Sequence, residues 1–188
     1  MGRHGIARNY EHGIESRDES SVTFKLASNK EMLEAYPFRF TLKTTYSLID
    51  ERMLSQTFCI ANDGSAPMPF CVGGHPAFNV PVPGAVDESF EDYVLKFEEP
   101  WSCMLPTIGE DGLMRRDMLH ECPAGTDVIP INHRCFDHDA LVFTDVPGGR
   151  LTLLGSKSKH GIQIDFPDFR YLGVWSAADD APFVALEP

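Results

Sequence analysis

Two ionisable residues stand out by their surroundings. His75 lies in "FCVGGHPAFNVPVP", residues 70 to 83, between a glycine pair and a proline and among apolar residues. The glycines permit unusual backbone angles or the close approach of another group. Pro76 restricts His75 to an extended conformation, so the ring is aimed in a fixed direction. An imidazole held that way can exchange protons near neutral pH, and it can equally be a strand-end histidine satisfied by a backbone carbonyl. Glu187 closes the apolar run "APFVALEP". On a central strand its carboxylate would sit in or beside the core, where desolvation raises its pKa toward that of a useful base. At a frayed end it would be an ordinary solvated glutamate.

Other chemistries find less support. "HRCFDHD" (133–139) has the composition of a nitrogen and oxygen ligand cluster, but a strand pair of ligands needs i, i+2 spacing and no HxH is present, so no metal site is expected. No serine sits in a GxSxG elbow, and "VGGHP" is too short for a phosphate loop and leads into a strand. Cys59, Cys71, Cys103, Cys122 and Cys135 are odd in number and form no CxxC pair. They are expected to be reduced thiols, mostly buried or incidental. The formal charge of −12 opposes binding to nucleic acid or to an anionic membrane and leaves small neutral ligands open. The first twenty residues lack the apolar core of a signal peptide, and no apolar run is long enough to span a bilayer, which points to the cytoplasm.

The elements that would position these residues are strands. From Phe38 to Leu48, apolar or β-favouring residues alternate with polar ones, "DER" supplies a turn and "MLSQTFCIAN" continues, so residues 38 to 62 are expected to form a hairpin. Further strands are expected at 22–26, 92–97, 140–144, 150–155, 161–166, 171–176 and 183–186, divided by turn signals such as "NDGSAP" and "VPGG". The best short helix is "NKEMLEAY" (29–36), ended by Pro37. Residues 100 to 133, rich in Pro, Gly and charge, are expected to be a long irregular segment of the kind that forms binding loops or lids. The pattern describes an all-β antiparallel sandwich or barrel, with residues 1–188 as a single domain.

Taken in order, "RHGIAR" (3–8), "YPFRFTLKTTYSL" (36–48), "MPFCVGGHPAFNVP" (68–81), "FDHDALVF" (136–143), "YLGVWS" (171–176) and "PFVALEP" (182–188) resemble the aldose 1-epimerase (galactose mutarotase-like) family, in its bacterial LacX-type branch. The resemblance implies an antiparallel β-sandwich of the supersandwich type, with a sugar site on the concave face of one sheet. It implies interconversion of the α and β anomers of a free hexose without a cofactor. His75 matches the general acid that protonates the ring oxygen, and Glu187 the general base that takes the proton of the anomeric hydroxyl. His4 and Arg8 look like the sugar-contacting pair, and Asp139, in preference to Asp137, the aspartate that bonds sugar hydroxyls. Trp175 would offer a flat face to the sugar or pack in the core. Family members are usually longer at both ends, so an incomplete sandwich is expected. No oligomeric state is implied. Two alternatives share the fold: a non-catalytic carbohydrate-binding module, and a hexose-6-phosphate 1-epimerase with Arg8, Arg115 and Arg116 as its cations. The form "GGHPAFNVP" favours the free sugar.

Overall fold

The computed structural model of the chain describes residues 4–109, 111–121, 125–177 and 179–188, with the backbone alone at 120 and 121. Cys122 and Arg3 lie outside the described residues. The chain divides into two compact units, residues 1–72 and 73–188.

The first unit is one antiparallel sheet in the order β1-β2-β3-β4, made of β1 (Gly13–Arg17), β2 (Ser21–Ala27), β3 (Phe40–Leu48) and β4 (Leu54–Asn62). The expected hairpin is the β3–β4 pair, in unbroken register from Phe40↔Asn62 to Leu48↔Leu54. Between β2 and β3 runs the helix α1 (Lys30–Ala35), started by the Asn29 side chain, which accepts the Met32 N–H at 2.9 Å. Leu26, Met32 and Phe40 form a small core with Tyr10, Tyr36 and Met68 around it. On a face of the sheet, Glu15 binds both Lys25 (3.2 Å) and Lys43 (2.6 Å).

The second unit contains β5 (Ala77–Asn79), β6 (Tyr93–Trp101), β7 (Met104–Ile108), β8 (Met114–Glu121), β9 (Thr126–Pro130), β10 (Leu141–Thr144), β11 (Arg150–Gly155), β12 (Gly161–Asp165), β13 (Tyr171–Trp175) and β14 (Phe183–Glu187). They form two four-stranded antiparallel sheets, β10-β13-β14-β5 and β12-β11-β6-β9, and the hairpin β7–β8. Alternation along each strand sends Phe143, Leu172, Val174, Val184 and Leu186 of one sheet and Leu95, Phe97, Leu151 and Leu153 of the other into a single core. Each such side chain contributes roughly 1.5–3 kcal/mol on burial. This is the antiparallel sandwich that the period of two predicts.

The segment 100 to 133 differs from expectation: most of it is β7, β8 and β9 rather than irregular loop. Its strands escape a periodicity search because the β7–β8 hairpin buries little. Met104, Met118 and Leu119 are exposed while the adjacent Leu105 and Pro106 are buried, so neither face carries an alternating apolar series. The turn holds it instead: Gly109 N–H donates to Leu113 O (2.9 Å), Gly112 takes a positive φ of 73°, and Asp111 accepts from Leu113 N–H (3.1 Å) and Arg115 (2.7 Å). The thiols also differ from expectation. Cys59, on β4, and Cys71, in the stretch before β5, are exposed, while Cys103 and Cys135 lie between strands and are half-buried, so none of the described thiols is fully buried. Among the described residues no helix is long and apolar enough to cross a membrane.

One polar contact ties the two sandwich layers' connections together. Tyr93 is fully buried, and its oxygen accepts the Val82 N–H at 2.9 Å while bonding the Glu88 carboxylate. Glu88 also accepts from Ser158 N–H (2.7 Å), Ser158 Oγ (2.8 Å) and Lys157 N–H (2.9 Å). Partial burial pushes its pKa up, but these bonds outweigh that and hold it below the usual carboxylate range. Tyr93→Phe strands the Val82 N–H in the core, and is expected to cost about 1–3 kcal/mol in urea denaturation. An unchanged unfolding midpoint would show that the phenol bears none of this load.

Candidate active site

The site is built around β14. On one flank Phe183, Val184 and Ala185 pair with Asn79, Phe78 and Ala77 of β5. Leu186 N–H donates to Pro76 O (3.0 Å) and Gly74 N–H to Pro188 O (2.9 Å), which carries the same register three residues beyond β5. Glu187 is thereby set opposite His75, and the two side chains meet with Nε2 and Oε1 3.4 Å apart. The glycine pair has a concrete role here. A Cβ at Gly73 would lie 2.8 Å from Pro188 O, so only glycine lets the segment before His75 close on β14.

On the other flank Glu187 pairs with Gly173 of β13, and Gly173 with Val142 of β10. Leu172, Val174, Val184 and Leu186 point into the core, so alternation puts Tyr171, Gly173, Trp175, Phe183 and Glu187 on the opposite face. A Cβ on Gly173 would come within 3.4 Å of Glu187 Cβ and 3.6 Å of Oε2. The glycine thus leaves a gap beside the carboxylate. At one side of the gap Trp175 and Phe183 stand with ring centres 5.7 Å apart.

Burial pushes the Glu187 carboxyl above the usual range; the His75 ring opposes this and the nearby Asp139 charge adds to it. Its side chain is 23% exposed against 44% for His75, so the pair is half sheltered and reachable from solvent. Asp139 comes from the loop before β10. The loop is anchored by buried Phe136, whose carbonyl accepts the Asp139 N–H (3.1 Å), and Asp139 turns the chain with a φ of 76° while its Oδ1 takes the Ala140 N–H (2.9 Å). His133 secures the same loop: its ring stacks on Phe90 with centres 3.9 Å apart, and its Nε2 donates to Ala181 O (3.1 Å). Asp137 and His138 are exposed.

The structure therefore brings His75, Glu187 and Asp139 together. His4 and Arg8 belong to the first unit, both exposed, His4 with a φ of 69° and Arg8 in a short 3-10 turn (Ala7–Asn9) pinned by His12 Nε2 donating to Ala7 O at 3.1 Å. Of the other arginines considered, Arg115 is held by Asp111 (2.7 Å) and Arg116 Nη2 donates to the Tyr171 hydroxyl (3.2 Å). Gly173 and Tyr171 are site-face residues that the sequence reading passed over; a glycine inside the strand "YLGVW" was the available signal. Among the described residues no cluster of three or more His, Cys, Asp or Glu is arranged to hold a metal ion. What the site can do is move protons: a raised carboxylate and an imidazole stand side by side beside an open gap and an aromatic wall.

The profile of the aldose 1-epimerase family matches residues 1–188. The chain is 36% identical over 190 residues to the chromosomal LacX protein of Lactococcus lactis subsp. lactis, covering 99% of this chain and 62% of that protein. It superposes on a galactose mutarotase related enzyme of Lactobacillus acidophilus with a TM-score of 0.89 at 28% identity, over 100% of this chain and 62% of that one. A galactose mutarotase-like protein of Lactobacillus casei gives a TM-score of 0.85 at 34% identity, over 100% and 64%. The chain thus spans a little under two thirds of the length of these relatives. It belongs to the aldose 1-epimerase family.

Proposed function

We propose that this chain carries the acid–base pair of an aldose 1-epimerase acting on a free hexose, with His75 as general acid and Glu187 as general base. The observation that carries the reading is the 3.4 Å contact of the two groups on one sheet face. Anomer exchange needs a proton delivered to the ring oxygen and another removed from the anomeric hydroxyl. Both oxygens are bonded to C1, so the two groups that serve them must be neighbours, as a cross-strand pair is.

Glu187 takes the proton of the anomeric hydroxyl, and that O–H electron pair becomes the second bond of the C1 carbonyl. The C1–O bond of the ring breaks, and its electron pair takes the proton of the His75 imidazolium. Rotation about C1–C2 presents the other carbonyl face, and closure returns each proton to its donor. The raised carboxyl suits this cycle, because the base must also give its proton back. Asp139 holds sugar hydroxyls in this reading, and Trp175 offers a ring face. The galactose mutarotase relatives and the "GGHPAFNVP" form support a free hexose as substrate.

Polarimetry of freshly dissolved α-galactose tests the proposal. The protein should speed the approach to equilibrium, and His75→Ala and Glu187→Gln should each lower kcat/KM by about 10²- to 10⁴-fold. Folded wild-type protein that binds the sugar without changing the rate would make it a carbohydrate-binding module instead.

The acid limb of the pH profile reports Glu187, which must be ionised to act. Asp139→Asn removes a charge that raises the Glu187 pKa, so the limb should move to lower pH, with a weaker KM. A limb that stays in place would dissociate Asp139 from the base.

A raised carboxyl pKa means the folded state holds the proton more tightly than the unfolded one. Stability from Glu187 is then lost as pH rises through that pKa. At neutral pH Glu187→Gln should therefore melt at or above the wild-type Tm while losing activity; a clear drop in Tm would contradict this.

A further inference from the structure

We infer that Tyr171, oriented by Arg116, is a specificity-determining residue of the same site that donates a hydrogen bond to one sugar hydroxyl remote from C1. Tyr171 and Gly173 lie two residues apart on β13 and share the face that carries Glu187. The phenol therefore rises about 7 Å along the strand from the gap over Gly173. Leu172 between them is fully buried, which fixes Tyr171 on the outer face. Across β10, Val142 lies opposite Gly173 and Thr144 opposite Tyr171, so the two β13 positions are flanked on that face by short side chains.

The phenol is held from two sides. Arg116 Nη2, on the exposed strand β8, donates to its oxygen at 3.2 Å. The Arg170 guanidinium lies 5.7 Å from its ring centre and is itself fixed by Asp145 at 3.1 and 3.2 Å. A phenol oxygen that accepts from a cation keeps its own hydrogen free to donate, and the neighbouring charge makes it a stronger donor. Among the described residues that hydroxyl hydrogen has no acceptor. Arg116 for its part faces no carboxylate within ion-pair distance among the described residues, whereas Arg115, Arg150 and Arg170 each do. Its hydrogen bond goes to the Tyr171 phenol, which gives Arg116 the part of a positioning residue.

The inference rests on the proposed sugar site, and binding separates the two. Dissociation constants are read from tryptophan fluorescence for galactose and for its monodeoxy analogues, one for each hydroxyl other than the anomeric one. Tyr171→Phe keeps the ring and should weaken galactose about fivefold, the loss of one neutral hydrogen bond. One analogue should bind equally to wild type and variant, while the others lose as much as galactose does. Arg116→Leu should give a smaller loss that adds nothing on top of Tyr171→Phe. Unchanged galactose affinity in Tyr171→Phe, an equal loss for every analogue, additive losses, or wild-type protein that binds no hexose would each overturn the inference. Tyr171-dependent binding without any rate enhancement would remove the catalytic proposal and leave this one standing. Catalysis that ignores Tyr171→Phe would do the reverse.

Discussion

Everything at the site depends on the register of β14 between β5 and β13. Val184 and Leu186 are wholly buried, and a one-residue slip would bring both into solvent and drive Glu187 into the apolar core. The hydrophobic effect thus holds the carboxylate on the outer face through the buried residues that precede it in the strand. The same ladder determines the neighbours: His75 on one side and Gly173 on the other follow from pairings whose backbone bonds continue to Gly74 and Pro76. Glu187 on a strand, with His75 on the segment that the same backbone bonds tie to it, gains the positional precision of the sheet.

Two carboxylates of the same unit show how environment divides structural from chemical roles. Glu88 and Glu187 both lose hydration. Glu88 is answered by four hydrogen-bond donors and is held as a low-pKa anion, fit for bracing the loops at Ser158 and Val82. Glu187 is opposed by the His75 ring and pushed up by Asp139, so burial prevails and its pKa rises. The first cannot easily take up a proton; the second can take one and return it. Donors withheld from Glu187 make it a usable base, and they also make it a local cost to stability.

Much of this architecture was legible in the chain because core burial writes a period of two. β11 runs from Arg150 to Gly155 and β13 from Tyr171 to Trp175, close to the apolar alternation of each. The β7–β8 hairpin was not legible, since a strand pair that buries little has no reason to alternate, and turn bonds around Asp111 hold it. His75 was visible as an oddity of "GGHP", but the purpose of its glycines was not. That purpose is contact with Pro188, over a hundred residues along the chain, and local sequence carries no record of a long-range approach. Gly173 showed only as a glycine inside a strand, and its purpose was hidden for a related reason: an absent side chain has meaning only beside the Glu187 that it leaves room for.

The small residue at Gly173 also explains why an acid and a base can stand in contact and still serve a ligand. A cross-strand pair of a histidine and a glutamate would ordinarily satisfy itself, each group quenching the other's proton. Here the carboxylate has a second oxygen, and the Oε2 side faces the space where a Gly173 side chain would have been. The imidazole is likewise nearly half exposed. A molecule that presents two oxygens on one carbon can therefore enter between solvent and pair, drawing on Oε2 and the ring without first breaking the sheet. In the proposed reaction the geometry would favour that arrangement of oxygens before any contact with the remaining hydroxyls is made, and the contacts that tell one hexose from another would be left to the rim of the gap.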